Sequence, residues 1–182
     1  MRLFVGWPLA HEHKAALAAR IAPLRDALSA ASWPRPEALH LTLLFLGETD
    51  SERLPALIEG LDRLSDRAAI PVEISGAGFF PGRNRPRVAW VGLEPVDPIR
   101  ALATAVRAGA GVEADERPFH PHLTLARIRR AWGSGEVARF ESALAGVKLE
   151  GILDRVVLFE SRLSSAGAQH VPLHEVRLQS TS

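Results

Sequence analysis

The four-residue word His-Leu-Thr-Leu occurs twice in this chain, at residues 40–43 and again at 122–125. Each copy lies in an apolar run of strand length, and the first run stops at Gly47. Side chains alternate faces along a strand, so His40 and Thr42 point one way and Leu41 and Leu43 the other. An imidazole and a hydroxyl side by side on a buried strand are costly unless they have partners or a use. A single copy reads equally well as a core histidine beside a strand threonine. Two copies constrain the chain much more strongly. Two such strands in one small domain can converge on one cleft, with two imidazoles for proton transfer and two hydroxyls for an oxyanion. That set is able to split a phosphodiester without a metal.

The remaining bounds agree with a small enzyme. The chain has 182 residues, enough for one domain or a compact two-lobed one. Hydrophobic residues make up 47%, ordinary for a globular core, and the net charge of +1 does not by itself demand a nucleic-acid partner. There is no cysteine, which excludes disulfides and thiolate metal sites. The apolar start is interrupted by His11, Glu12, His13 and Lys14, unlike a signal peptide, and no apolar run has membrane-spanning length. A soluble cytoplasmic monomer is the expectation.

Periodicity predicts strands over 2–7, 39–47, 70–80, 87–93, 120–128, 152–163 and 169–178, the last two joined by a turn at 164–167. Helices are predicted over 9–31, with a break or kink at Pro23, and over 51–67, 97–110 and 135–145. Residues 111–118 connect the third helix to the second motif strand. Each half of this order holds one His-x-Thr strand as its second strand. The echo suggests two similar lobes, about 1–80 and 87–178, facing each other across a cleft. No linker-like composition separates them, so one domain over 1–182 is expected, with strand exchange between the lobes allowed.

At these motifs the chain resembles the 2H phosphoesterase superfamily, and within it the RNA 2',3'-cyclic phosphodiesterase branch, also named 2'-5' RNA ligase. The resemblance runs through Arg2-Leu3-Phe4-Val5, the run from Leu39 to Glu48, Arg85-Pro86-Arg87-Val88, and the stretch from Pro121 to Arg127. It ends in Ser161-Arg162-Leu163 with Gly167-Ala168 following. It implies a mixed α/β (α+β) bilobal duplicated fold, with two mainly antiparallel sheets across a central cleft and helices outside. It also implies hydrolysis of RNA 2',3'-cyclic phosphate ends to 2'-phosphomonoesters. His40 is then the proton donor and His122 the proton acceptor, roles that two near-identical motifs do not separate by themselves. The implied substrate is an RNA end, tRNA fragments included. With an RNA 5'-hydroxyl in place of water the same catalyst would form a 2'-5' linkage without ATP.

Thr42 and Thr124 are expected to donate to phosphoryl oxygens, and no cofactor or metal is needed. Arg127 stands where the family motif has an arginine, and guanidinium suits phosphate. Strict alternation from His122 would turn it away from the cleft, unless a bulge intervenes. Phe119 is the best candidate to stack on a base, with Trp33 and Phe80 as further aromatics beside the motifs. His120 shares a face with His122 but has no carboxylate or cysteine set beside it to complete a metal site. Arg83, Arg85 and Arg87 form a basic cluster that suits either RNA backbone or water. His170 and His174 read as structural or surface. The alternatives are a phosphodiesterase for 2',5'-oligonucleotides or small cyclic nucleotides, a non-catalytic RNA-end-binding protein, and a metal-dependent hydrolase.

Overall fold

The computed structural model describes residues 1–113, 118–164 and 167–180. The expected 111–118 connection and the turn at 164–167 each fall partly outside the described residues. The element order is β1 (Arg2–Pro8), α1 (His11–Ala27), β2 (Ala31–Ser32), β3 (His40–Glu48), α2 (Leu54–Asp62), β4 (Ile70–Phe80), β5 (Val88–Glu94) and α3 (Val96–Gly109). There follow β6 (His122–Ile128), α4 (Ser134–Leu144), β7 (Lys148–Leu153), β8 (Arg155–Ser164) and β9 (Gly167–Arg177).

The strands form one sheet in the order β7-β4-β5-β6-β3-β1-β8-β9, with the two-residue β2 pairing β6. Neighbours in that order run antiparallel. Two four-stranded halves, β7-β4-β5-β6 and β3-β1-β8-β9, meet where Leu41 of β3 pairs Leu123 of β6. The seam therefore runs between the two motif strands. The halves do not follow the chain's own halves. β4 leaves the first stretch to join β5–β7, while β8 and β9 return to β1.

This exchange explains the one strand expected over 152–163 that is in fact two. β7 pairs β4 in one half and β8 pairs β1 in the other, so the chain crosses over at Asp154. The first helix also differs from expectation. α1 is continuous through Pro23. Pro23 lies in its last turns, where the lost hydrogen bond is tolerated because Leu17, Ile21 and Leu24 pin the helix by burial on either side.

The main core lies between one face of the sheet and the helices. α3 contributes Ile99, Leu102, Ala103 and Val106, spaced to fall on one stripe. From the strands come Leu41, Leu43, Leu44, Leu123, Leu125 and Ala126. α2 and α3 cross at backbone contact: a methyl on Gly60 would lie 1.8 Å from the Gly109 carbonyl oxygen. The opposite face of the sheet carries a separate small cluster of Phe4, Val157 and Phe159. Among the described residues no helix is long and apolar enough to cross a membrane.

Candidate active site

The seam decides what shares the open face. Leu41 and Leu123 pair with each other and are both fully buried toward the helices. Their neighbours His40, Thr42, His122 and Thr124, all half-buried, therefore point to the other face. Antiparallel register centred on that pair sets His40 alongside Thr124 and Thr42 alongside His122. The two motifs are thus related by a pseudo-twofold axis through the Leu41–Leu123 pair.

The two imidazoles are held alike. His40 Nδ1 donates to the Ala38 carbonyl at 2.7 Å, and His122 Nδ1 donates to the His120 carbonyl at 2.7 Å. A carbonyl can only accept, so Nδ1 carries the proton in each ring, and Nε2 is left as the exchangeable site. In neutral His40 that Nε2 accepts from the Thr42 hydroxyl at 2.9 Å.

The electrostatics keep both rings neutral at rest. Burial pushes His40 from 6.5 down to about 4. The hydrogen bond to Ala38 opposes this, and the charges of His170, Lys14 and Arg127 add to it. Burial also lowers His122, against its bond to His120 and with the charges of His120 and Arg127. The Arg127 charge thus acts on both imidazoles.

Arg127 reaches this face through a bulge. Trp90 of β5 faces Thr124 and Ala89 faces Ala126, so Leu125 is an extra residue in β6. Leu125 and Ala126 are both buried in succession, and the alternation resumes with Arg127 exposed, in phase with His122 and Thr124. The same device occurs in β3. Gly6 faces Thr42 and Val5 faces Leu44, so Leu43 is the extra residue. Leu43 and Leu44 are both buried, and Phe45 emerges in phase with His40 and Thr42. Phe45 and Arg127 thus occupy equivalent positions in the two motifs.

The other sequence candidates fall in various places. Phe119 is half-buried and packs against the main core, as does Trp33. Phe80 does stand beside the site, its ring centroid 4.8 Å from that of His122 and edge-on to it. His120 is exposed, 4.7 Å from Trp90 and 6.5 Å from His122. Among the described residues, no three His, Asp or Glu side chains group closely enough to hold a metal ion. Arg83 is engaged by Glu141 of α4 through two bonds of 2.8 and 3.0 Å, while Arg85 and Arg87 are exposed. His174 bonds Asp62 at 2.6 Å.

Two groups escaped sequence reasoning. His170 of β9, read as structural or surface, lies edge-on to His40 with ring centroids 4.9 Å apart. It is also 4.9 Å from Phe4, and its Nδ1 is buried without a partner. Burial lowers its pKa. Its position follows from strand exchange, which periodicity does not reveal. Trp90 faces Thr124 and lies across Gly78, where a methyl would come within 2.2 Å of the indole. The signal available was the motif strand's neighbour on the sheet, itself a matter of topology.

Comparison with known proteins places this geometry. A family model described as the 2'-5' RNA ligase superfamily matches residues 14–163. A Thermus thermophilus protein named RNA 2',3'-cyclic phosphodiesterase is 36% identical over 191 residues, covering 98% of this chain and 91% of its own length. One of the same name from Aeropyrum pernix is 30% identical over 173 residues, covering 89% and 97%. Among solved structures, a Thermus thermophilus protein superposes with a TM-score of 0.77 at 29% identity over 100% of both chains. Escherichia coli LigT complexed with 3'-AMP gives 0.72 at 26% identity, over 97% of each chain. The chain belongs to the 2'-5' RNA ligase superfamily, the 2H phosphoesterases.

Proposed function

We propose that this chain opens RNA 2',3'-cyclic phosphate ends to 2'-phosphomonoesters, without a metal, using His40 as proton donor and His122 as proton acceptor. One observation carries the reading. Two imidazoles, each anchored through Nδ1 to a carbonyl two residues back, stand with a threonine each on one face about a pseudo-twofold axis. The names of the relatives and the 3'-AMP complex of E. coli LigT support an RNA-end substrate.

The reaction follows from the groups present. A cyclic phosphodiester binds between the rings, with Arg127 and the hydroxyls of Thr42 and Thr124 against its phosphoryl oxygens. Its negative charge offsets the burial that keeps His40 neutral and lets His40 take up a proton. Neutral His122 accepts a proton from water through Nε2 as the water oxygen bonds to phosphorus. The bond from phosphorus to the ribose 3'-oxygen breaks in line with that attack, and His40 Nε2–H delivers its proton to the leaving oxygen. Hydrolysis thus moves a proton from His40's ring to the alcohol and one from water to His122's. An RNA 5'-hydroxyl in the place of water would give a 2'-5' linkage by the same transfers.

The test uses leaving-group quality, with chelator present throughout. Either His→Ala variant should lose a hundredfold or more on a nucleoside 2',3'-cyclic phosphate. On an aryl phosphodiester, whose leaving group needs little protonation, His40→Ala should recover and His122→Ala should not. Rescue of His122→Ala instead would reverse the roles. Turnover abolished by the chelator and restored by a divalent ion would replace the metal-free scheme, and full activity in both variants would end it.

A further inference from the structure

His40 has to gain a proton before it can give one, and the groups around it oppose that gain. Among the described residues, every charge that bears on it is positive: Lys14 from α1, Arg127 from β6 and His170 from β9. Of these only His170 ordinarily titrates near neutrality. His170 stands three strands from β3 in the sheet order β3-β1-β8-β9, with Ser161 of β8 as its ladder partner. It meets His40 over β1, where Gly6, the partner of Thr42, has no side chain to intervene. A methyl on Gly6 would already lie 3.5 Å from His40 Cδ2. The two imidazoles stand edge-on at 4.9 Å, with Phe4 4.9 Å from His170 and 4.7 Å from His40. Burial alone lowers His170, whereas His40 is more deeply buried and falls to about 4. Of the two His170 nitrogens only Nδ1 is buried without a partner. A proton there would lack an oxygen or nitrogen acceptor, so the neutral ring keeps its proton on Nε2 and leaves Nδ1 as a free base. While His40 is neutral, the π systems of Phe4 and His40 tolerate a cation on His170. Once His40 is charged, the two cations repel across 4.9 Å.

We propose that His170 is a positioning residue for the donor: it holds the proton in the empty site and yields it to His40 when an anionic phosphodiester is seated between the two motifs. The proposal rests on the phosphodiesterase reading above and supplies the origin of the donor's proton. Two charged rings at this spacing exclude each other, so the pair carries one proton. In the empty site that proton sits on His170, whose ring is the less deeply buried and has no charged neighbour bearing on it. A phosphate between His40 and His122 changes the balance, because it lies against His40 and across that ring from His170. β6 borders β3 on one side, while β9 lies beyond β1 and β8 on the other. The anion therefore favours positive charge on the nearer ring. One N–H bond breaks at His170 Nδ1 and one forms at His40 Nε2, and the charge of the pair does not change. His40 then passes that proton to the leaving ribose oxygen, and His170 takes up another from water once the product has left. The imidazole next to His122, that of His120, is exposed and 6.5 Å away. Only the donor half thus carries a second, partly buried imidazole against its catalytic ring.

The experiment counts protons on named rings. The imidazole signals of wild type are titrated by nuclear magnetic resonance with and without adenosine 2'-monophosphate, and assigned with His40→Gln and His170→Gln. In the empty protein His170 should titrate at higher pH than His40, and the ligand should reverse that order. Calorimetry of the same ligand in two buffers of different ionisation heat, at a pH between the two empty-site midpoints, gives the protons taken up on binding. His170→Gln and His170→Phe should each take up about one proton more than wild type, because His40 must then draw its proton from water. Phe keeps a ring against His40 and Phe4, so a merely structural His170 would leave the count in His170→Phe unchanged. Thermal unfolding checks that each variant is folded. A His40 that titrates first in the empty protein, a His170 signal that ignores the ligand, or equal uptake in wild type and both variants overturns the proposal. Turnover of adenosine 2',3'-cyclic phosphate by wild type is measured in parallel. Proton transfer within the pair without any ring opening overturns the phosphodiesterase reading and leaves the transfer standing. Rescue of His122→Ala, rather than His40→Ala, by a good leaving group overturns the delivery of this proton to the leaving oxygen.

Discussion

His40 should make this protein acid-sensitive in a way that a single substitution isolates. Its pKa falls from 6.5 to about 4 on folding, with burial the main cause. Between those values the unfolded chain binds a proton that the folded one does not, so stability falls as pH falls from about 6.5 through about 4, and is free of this penalty above 6.5. From pH 7 to pH 5 the linkage amounts to about 2 kcal/mol, at about 1.4 kcal/mol per pH unit. The ring keeps an edge in water, and screening brings the expected figure nearer 1 kcal/mol. His40→Asn carries no titrating group at this position. Urea unfolding of both proteins at pH 7 and pH 5 gives the difference directly, since His122 and His170 titrate in both. Wild type should lose about 1–2 kcal/mol more than His40→Asn over that interval. An equal loss in the two proteins would show that His40 is not held neutral by the fold. The requirement that substrate charge restore its proton would then fall with it.

Two further outcomes test the site and the frame separately. Thr42→Ala and Thr124→Ala should each slow turnover by roughly a hundredfold with little change in melting temperature, while Thr→Ser at either position keeps the hydroxyl and most of the rate. Near-wild-type rates in both alanine variants would make the hydroxyls structural. Gly60→Ala drives a methyl into the Gly109 carbonyl of the facing helix and should cost about 1–3 kcal/mol, lowering the melting temperature by several degrees with no change in ligand affinity per folded molecule. An unshifted melting curve would show that α2 and α3 can separate freely.

What the sequence made legible was local. The two motif strands, the helices and the shared face of His40, Thr42, His122 and Thr124 follow from alternation and apolar spacing, because each depends on residues close in the chain. The exchange of β4, β8 and β9 between halves does not, because strand partners are chosen by packing over long separations. Local pattern therefore reads His170 as structural or surface, although β9 brings it to His40. Its place just before the second motif makes Phe119 the best sequence candidate for a base contact. It is half-buried and packs against the main core.

The bulges mark the deeper limit of pattern reading. Strict alternation sends Arg127 and Phe45 to the helix side, where a guanidinium could not be solvated and a further phenyl ring would overfill the layer. One extra residue after each threonine resolves both conflicts at once, burying Leu43 with Leu44 and Leu125 with Ala126. Two consecutive apolar residues followed by one that does not fit the core are the trace such a bulge leaves in a sequence. Here the trace is present in both copies, as Leu-Leu-Phe and Leu-Ala-Arg. The repeat supplies a second check that a single motif lacks, because the same device stands at the same offset in both strands. What the two copies leave different at this offset is an aromatic ring in one strand, Phe45, and a cation in the other, Arg127.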